Sequence, residues 1–417
     1  MGEKIIGVPQ LAWHEPRELL LSFPETWDVQ TLNMSGYQRP ALTTEQIRQA
    51  VVRPGYGRPI GERVRAEDEV AILFDDLTRV TRVAQIVPFI LEELHGAGVP
   101  KGQIRFIAAL GCHGALNRSD LVKKLGADVV ENYAVYNHNA FENCVYAGTT
   151  AGGVPLYINE EFMRCTFKIG IGAITPHIMA GFGGGGKIVL PGIASIETAE
   201  AFHRVEKARQ RVAGQEGETG MGVFENNPLQ REIQEATVLA GLDFSINCLV
   251  NQWGETVSIF AGEPIPSFIA GATEAKPHYL TPRVTDADIA VANTFAKASE
   301  ALIGLFISCG AVSERGGDVI LICNSPEGQV PHFLMGTFGK HSAGRSRLAV
   351  GVPPQVGRLI ILNEYPEFAA RNYFNDQEKI FFARSWEEVR KLLGASDGCP
   401  KRVVVFPDAS IQYSKTS

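Results

Sequence analysis

Lys187 closes a run of four glycines, Gly183 to Gly186, with His177 ten residues before it and His203 sixteen after it. Imidazoles move protons near neutrality and ligate metals, and a lysine amine forms covalent bonds to carbonyl-type carbon. A lone histidine is more often a hydrogen-bonded structural residue, and a lone lysine is usually solvated. The glycines change that balance. Their entropic cost is seldom accepted unless the backbone needs positive φ or a close approach to a ligand.

Two earlier clusters add reactive groups. DDLTR (75–79) puts Asp76, Thr78 and Arg79 in one loop. Arg79 suits a bidentate grip on a carboxylate or phosphate, and Asp76 suits a ribose or substrate hydroxyl. A surface ion pair in a turn, with Thr78 capping the next helix, is the plainer alternative. GCHGALN (111–117) supplies His113.

The string Gly181 to Lys187 also satisfies the phosphate-loop pattern G-x-x-x-x-G-K. Three features argue against that reading. Ile188 stands where magnesium needs a hydroxyl, TPHIMA separates the run from its strand, and Pro191-Gly192 prevent the helix whose N-terminus would hold the phosphate.

The surrounding elements place these groups at strand ends. EVAILF (69–74), QIRFIAALG (103–111) and FKIGIGAI (167–174) are continuous apolar runs that predict buried parallel strands. The first two are followed by a polar loop and then a helix, over 83–98 and from about 120, with Ser119 or Asp120 as the second N-cap. SIETAEAFHRVEKARQRVAG (195–214) predicts a helix capped by Ser195, with His203 two turns in. The stretches 244–252 and 255–262 predict a hairpin about Trp253-Gly254. The Pro- and Gly-rich segment 263–284 is the expected domain boundary. Beyond it the rhythm restarts, with strands expected at 288–295, 318–324, 358–364 and 402–408, and helices near 298–309, 330–339 and 385–394.

The expectation is therefore an α/β protein of two domains with mainly parallel sheets, residues 1–272 and 273–417, and an active site in the interdomain cleft. A chain of 417 residues is long enough for two cores. Its net charge of −7 lacks the basic footprint that nucleic acid requires. Seven cysteines without a CxxC pair read as reduced thiols. The first residues lack a secretory h-region, Ile6 breaks the myristoylation pattern, and no apolar stretch is long enough to span a membrane. A cytoplasmic location is expected.

PHIMAGFGGGGKIVLPGIASIETAEAFH (176–203), DDLTR and GCHGALN together resemble the nickel-pincer-nucleotide lactate racemase family. The resemblance runs over essentially the whole length and is most distinct over 70–210. It implies a prosthetic group, nickel(II) pyridinium-3,5-bisthiocarboxylic acid mononucleotide, made by cofactor-synthesis enzymes and tethered covalently at Lys187. Further implications are His203 as the protein ligand of nickel, His113 and His177 as acid/bases on the two faces of a 2-hydroxy acid, and hydride transfer from C2. Asp76, Thr78, Arg79, Gly184, Gly185 and Gly186 would cradle the cofactor, with Lys297 and Glu300 as contacts from the second domain.

The family commonly carries an arginine after the first histidine, where this chain has Gly114-Ala115. That loss of charge widens the expected substrate from lactate to other aliphatic hydroxy acids and sugar acids. Two other readings stand beside the isomerase: a non-catalytic nucleotide-cofactor-binding protein, and a hydrolase or lyase with a metal on His113, His177 and His203. His332 and His341 flank a Gly-containing segment of the second domain and are further candidates for its cleft.

Overall fold

The computed structural model describes residues 2–213, 219–334, 351–365, 367, 374–395 and 398–415. The chain divides into two compact units. One comprises 39–251 with 255–276, the other 1–38 with 252–254 and 277–417.

The first unit is built on a six-stranded sheet. Its order is Thr256–Gly262, Phe244–Val250, Phe167–Ala173, Val70–Phe74, Ile104–Ala108 and Ala134–Asn137. All neighbours are parallel except the edge hairpin 244–262. The three apolar runs thus become adjacent central strands, and their period-two alternation feeds two cores. Val70, Ile72, Phe74, Ile104 and Phe106 pack with Val83, Ile86, Val87 and Ile90 of helix Val83–Gly96. Ala71, Leu73 and Ile107 on the opposite face pack with Ile188, Leu190, Ile193, Phe202 and Ile233. Burying each of the larger aliphatic or aromatic side chains stabilises by roughly 1.5–3 kcal/mol.

The local signals hold with two corrections. Helix Arg118–Leu125 is capped by Asn117 rather than Ser119 or Asp120. Asn117 Oδ1 accepts from the Asp120 N–H and Asp120 Oδ2 from the Asn117 N–H, both at 3.1 Å, a reciprocal box in which Asp120 takes the N3 position. The segment expected as a linker contains helix Pro264–His278. Prolines in a first turn remove only N–H groups that have no helical partner, and Phe268, Ala272 and Ala275 bury one helical stripe.

The second unit is a six-stranded, all-parallel sheet: Ile380–Ala383, Val356–Leu362, Gly317–Ile322, Ile289–Asn293, Arg402–Phe406 and Asp28–Thr31. The last strand corrects the expected 1–272 domain. Residues 28–31 add to the edge of a sheet formed by residues beyond 288, and strands Glu3–Gln10 and Arg17–Pro24 form a hairpin packed on the same core through Val8, Leu21 and Phe23. The helix expected near 298–309 is a 3-10 stretch, Phe295–Gly304, followed by helix Leu305–Cys309. Val330–Leu334 are not helical, while 335–339 and His341 lie outside the described residues. All seven cysteines are free. Among the described residues no helix is long and apolar enough to cross a membrane.

Candidate active site

Three loops leave the C-terminal ends of the adjacent strands Phe167–Ala173, Val70–Phe74 and Ile104–Ala108. They carry His177, the Asp76–Arg79 cluster and His113 respectively, at the edge where parallel sheets place their ligands.

His113 Nδ1 lies 2.6 Å from Asp76 Oδ2, with both side chains largely buried. A carboxylate accepts, so Nδ1 carries the proton and Nε2 is left as the basic nitrogen. The other Asp76 oxygen accepts from the Thr78 N–H at 2.9 Å and from the Thr78 hydroxyl. Burial alone would raise the Asp76 carboxyl. The His113 imidazole, the Arg79 guanidinium and the Thr78 hydrogen bonds outweigh it and hold the group well below the usual carboxylate range. Asp76 was expected to face a ribose or substrate hydroxyl, whereas here it orients His113. Thr78 sits inside the loop and does not cap the following helix, whose N-cap is Arg82. Arg79 Nη1 donates to the Thr78 carbonyl at 3.0 Å and its hydroxyl at 2.8 Å.

His177 has the reverse arrangement. Its Nδ1 accepts from the backbone N–H groups of Met179 at 3.3 Å and Ala180 at 3.1 Å, which puts the proton on Nε2. The two histidines are therefore set in opposite tautomers, one with a lone pair and one with an N–H at Nε2.

Lys187 stands in a 3-10 turn, Gly185–Ile188, and no helix starts before Ile196. That geometry disposes of the phosphate-loop reading. Gly184 and Gly185 adopt φ of 82° and 55°, and a Cβ on Gly185 would come 2.5 Å from the Phe268 ring. On Gly186 it would overlap the Thr237 hydroxyl. Protein packing and positive φ thus explain these three glycines. At Gly183 the nearest atom to an added Cβ is 3.7 Å away, so packing makes no such demand there.

Ile188 beside Lys187 and Phe202 beside His203 are buried in one core cluster, so the turn and the helix share a foundation. Ser195 Oγ accepts from the Thr198 N–H at 3.2 Å and starts helix Ile196–Ala213 as expected. His203 Nδ1 is 2.6 Å from the Ala199 carbonyl. A carbonyl can only accept, so Nε2 bears the ring lone pair, the arrangement in which imidazole binds a metal. Among the described residues no three His, Cys, Asp or Glu side chains are grouped to hold a metal, so His113, His177 and His203 do not form a shared metal site. Burial pushes the Cys112 thiol up to about 12, which disfavours the thiolate.

One site residue was missed in the sequence. Lys124 is fully buried, with Nζ 2.7 Å from Asp75 Oδ1, 2.9 Å from the Asp76 carbonyl and 2.8 Å from the Arg79 carbonyl. Its position three residues after Leu121 and one before Leu125 put it on a core-facing stripe, the one available clue.

Lys297 and Glu300 belong to the other unit. Lys297 is buried in the 3-10 stretch, where both residues leave helical geometry with φ of −133° and −128°. Nearby Asp408 accepts from the Ala296 N–H at 2.9 Å and from the Ser410 hydroxyl at 2.5 Å. Burial nevertheless pushes its carboxyl up to about 7. His332 Nδ1 accepts from the Leu334 N–H at 3.2 Å.

Residues 15–214 match the lactate racemase N-terminal domain. The chain is 28% identical over 247 residues to the lactate racemase of Thermoanaerobacterium thermosaccharolyticum, a match covering 59% of this chain and 56% of that one. It is also 28% identical over 299 residues to the lactate racemase of Lactiplantibacillus plantarum, covering 70% and 68%. The first match thus spans little more than half the length of that relative. The lactate racemase apoprotein from T. thermosaccharolyticum has a similar fold, with a TM-score of 0.71 at 20% identity over 99% of this chain and 100% of that one. A Thermotoga maritima protein follows with a TM-score of 0.67 at 17% identity, covering 90% and 99%.

Proposed function

We propose that this chain, whose residues 15–214 match the lactate racemase N-terminal domain, is a racemase or epimerase of a 2-hydroxy carboxylic acid. What supports the reading is a pair of histidines in opposite tautomers, at the ends of the two strands that flank Val70–Phe74. Inversion at C2 by hydride transfer needs the hydroxyl proton taken up on one face and given back on the other, and a base and an acid of similar strength do so reversibly. A carrier protein has no use for that arrangement.

The donor set fits the nickel-pincer pyridinium nucleotide. His203 offers a lone pair at Nε2, its ring held by the Ala199 carbonyl, and imidazole suits nickel. Lys187 is half-buried at the end of a rigid turn, where its amine is the proposed covalent tether. Packing does not require a glycine at Gly183, where a Cβ would make only ordinary contacts with Thr175, while Gly184, Gly185 and Gly186 shape the turn. When bound, the group supplies reversible acceptance of the C2 hydrogen as hydride.

The chain's own residues do the rest. His113 Nε2 takes the substrate hydroxyl proton, and Asp76 stabilises the imidazolium and keeps the ring from turning. His177 Nε2–H donates on the opposite face, its ring anchored by two backbone N–H groups. Arg79, braced on Thr78, holds a carboxylate or phosphate. Gly114-Ala115 beside His113 carry no charge where the family commonly has an arginine, so the proposed substrates include other aliphatic hydroxy acids and sugar acids beside lactate.

Intact mass of protein made beside the cofactor-synthesis enzymes tests the tether. An added mass that is lost in Lys187→Ala is the expected result. An active wild type of unmodified mass overturns the tether.

A further inference from the structure

Beneath the two histidine loops lies a buried ion pair that the chemistry above leaves unused. An ammonium has three N–H donors, and Lys124 Nζ faces Asp75 Oδ1 at 2.7 Å, the Asp76 carbonyl at 2.9 Å and the Arg79 carbonyl at 2.8 Å. Lys124 lies on the helix that follows the His113 loop, so it ties that loop's far end to the Asp76 loop. Asp75 ties the third. Its Oδ2 accepts from the Thr81 hydroxyl and from the Ala173 N–H at 3.3 Å, and Ala173 ends the strand that leads to His177. Arg82 and Asp76 are the other charged groups whose fields reach the pair.

We propose that Lys124 and Asp75 are a positioning pair that locks the His113, Asp76 and His177 loops into one rigid frame. Its purpose rests on the racemase reading, but the geometry does not. A buried pair is often no more stabilising than apolar residues of the same volume, so its value is in fixing a conformation. Three strand-end loops meet on these two side chains, and a displacement of about 1 Å in such a frame costs an enzyme on the order of a hundredfold in rate.

The test reads the histidines directly, in the full chain without cofactor. Protein carrying 13C-labelled histidine is titrated by 1H–13C correlation, with His113 and His177 assigned by His→Gln substitution. Lys124→Met is compared with Lys168→Met, which removes another buried lysine whose Nζ donates instead to the Ala240 carbonyl at 3.0 Å. We expect Lys124→Met to move the His113 midpoint by at least about half a pH unit, roughly threefold in its proton affinity. We also expect it to shift the His177 resonance, and Lys168→Met to lower the thermal midpoint while leaving both rings as they were. The neutral double variant Asp75→Asn/Lys124→Met gives the same readout if the single one does not fold, and Thr81→Val gives a milder form if neither does. Rings that respond no more than in Lys168→Met overturn the proposal, as does a response confined to His113. Failure of the racemase reading would appear elsewhere, as loaded wild type that interconverts no hydroxy acid.

Discussion

Asp76 Oδ2 stands 2.6 Å from His113 Nδ1, and that contact gives His113 the tautomer opposite to the one that the Met179 and Ala180 amides impose on His177. A carboxylate that only accepts leaves no choice of proton position. Replacing it by an amide removes that constraint while keeping the shape. Asp76→Asn should lower kcat by about two to four orders of magnitude with KM changed only a few-fold, as expected when a catalytic imidazole loses its orienting carboxylate. Steady-state rates in both directions check this, and a kcat within a factor of about three of wild type would remove Asp76 from the mechanism.

His203 should separate metal retention from tethering. His203→Ala is expected to keep the mass added at Lys187 and to lose nickel on gel filtration, since one ligand of a site that prefers square-planar geometry has gone. Metal analysis beside intact mass reads both. Full nickel occupancy in the variant would assign the ligand elsewhere.

The glycine run makes a graded prediction. Gly185→Ala meets a φ of 55° and the Phe268 ring at 2.5 Å. It should destabilise by about 2–4 kcal/mol in denaturant unfolding, from left-handed strain and overpacking together. Gly183→Ala meets nothing closer than 3.7 Å and should change stability by less than about 1 kcal/mol. If it instead blocks modification of Lys187, Gly183 is where the ligand approaches the backbone.

Two buried groups give stability opposite slopes with pH. Burial lowers the His138 imidazole from 6.5 to about 4, so the unfolded chain binds the extra proton between those values. The contribution of His138 is present above about 6.5 and lost as pH falls toward 4, on the order of 3 kcal/mol. Asp408 is raised from 3.8 to about 7, so the folded chain holds the extra proton. Its contribution is present below 3.8 and lost as pH rises through about 7, on the order of 4 kcal/mol. Denaturant unfolding between about pH 4 and 8 should flatten on the acid side in His138→Gln and on the neutral side in Asp408→Asn. Unchanged slopes in either variant would contradict the assignment.

How much of this was legible in the sequence depends on the range of the contacts. The central strands were readable because Val70–Phe74, Ile104–Ala108 and Phe167–Ala173 are buried on both faces, which leaves an unbroken apolar signature. Asp28–Thr31 was not, since it is a short, largely exposed edge strand whose partner, Arg402–Phe406, lies more than 370 residues further on. The helix Pro264–His278 was hidden by prolines that a first turn tolerates. His113, His177 and His203 were singled out by residue type, spacing and the family resemblance, but the proton on each ring is set by partners that only folding supplies. For Lys124 the difficulty was composition. A lysine next to Lys123 reads as surface, and its burial became evident only once Asp75 and two carbonyls faced it.

The proposed reaction is inversion at C2 of a 2-hydroxy acid by hydride transfer, with two histidines exchanging the hydroxyl proton. The measurement that tests it most directly follows a single enantiomer of a 2-deuterio-2-hydroxy acid, incubated in ordinary water with the cofactor-loaded chain and resolved by chiral chromatography with mass detection. The opposite enantiomer is expected to accumulate with deuterium retained at C2, across at least one of lactate, a longer aliphatic acid or a sugar acid. Inversion with loss of deuterium to solvent would contradict hydride transfer, and no inversion of any of these acids would contradict the racemase itself.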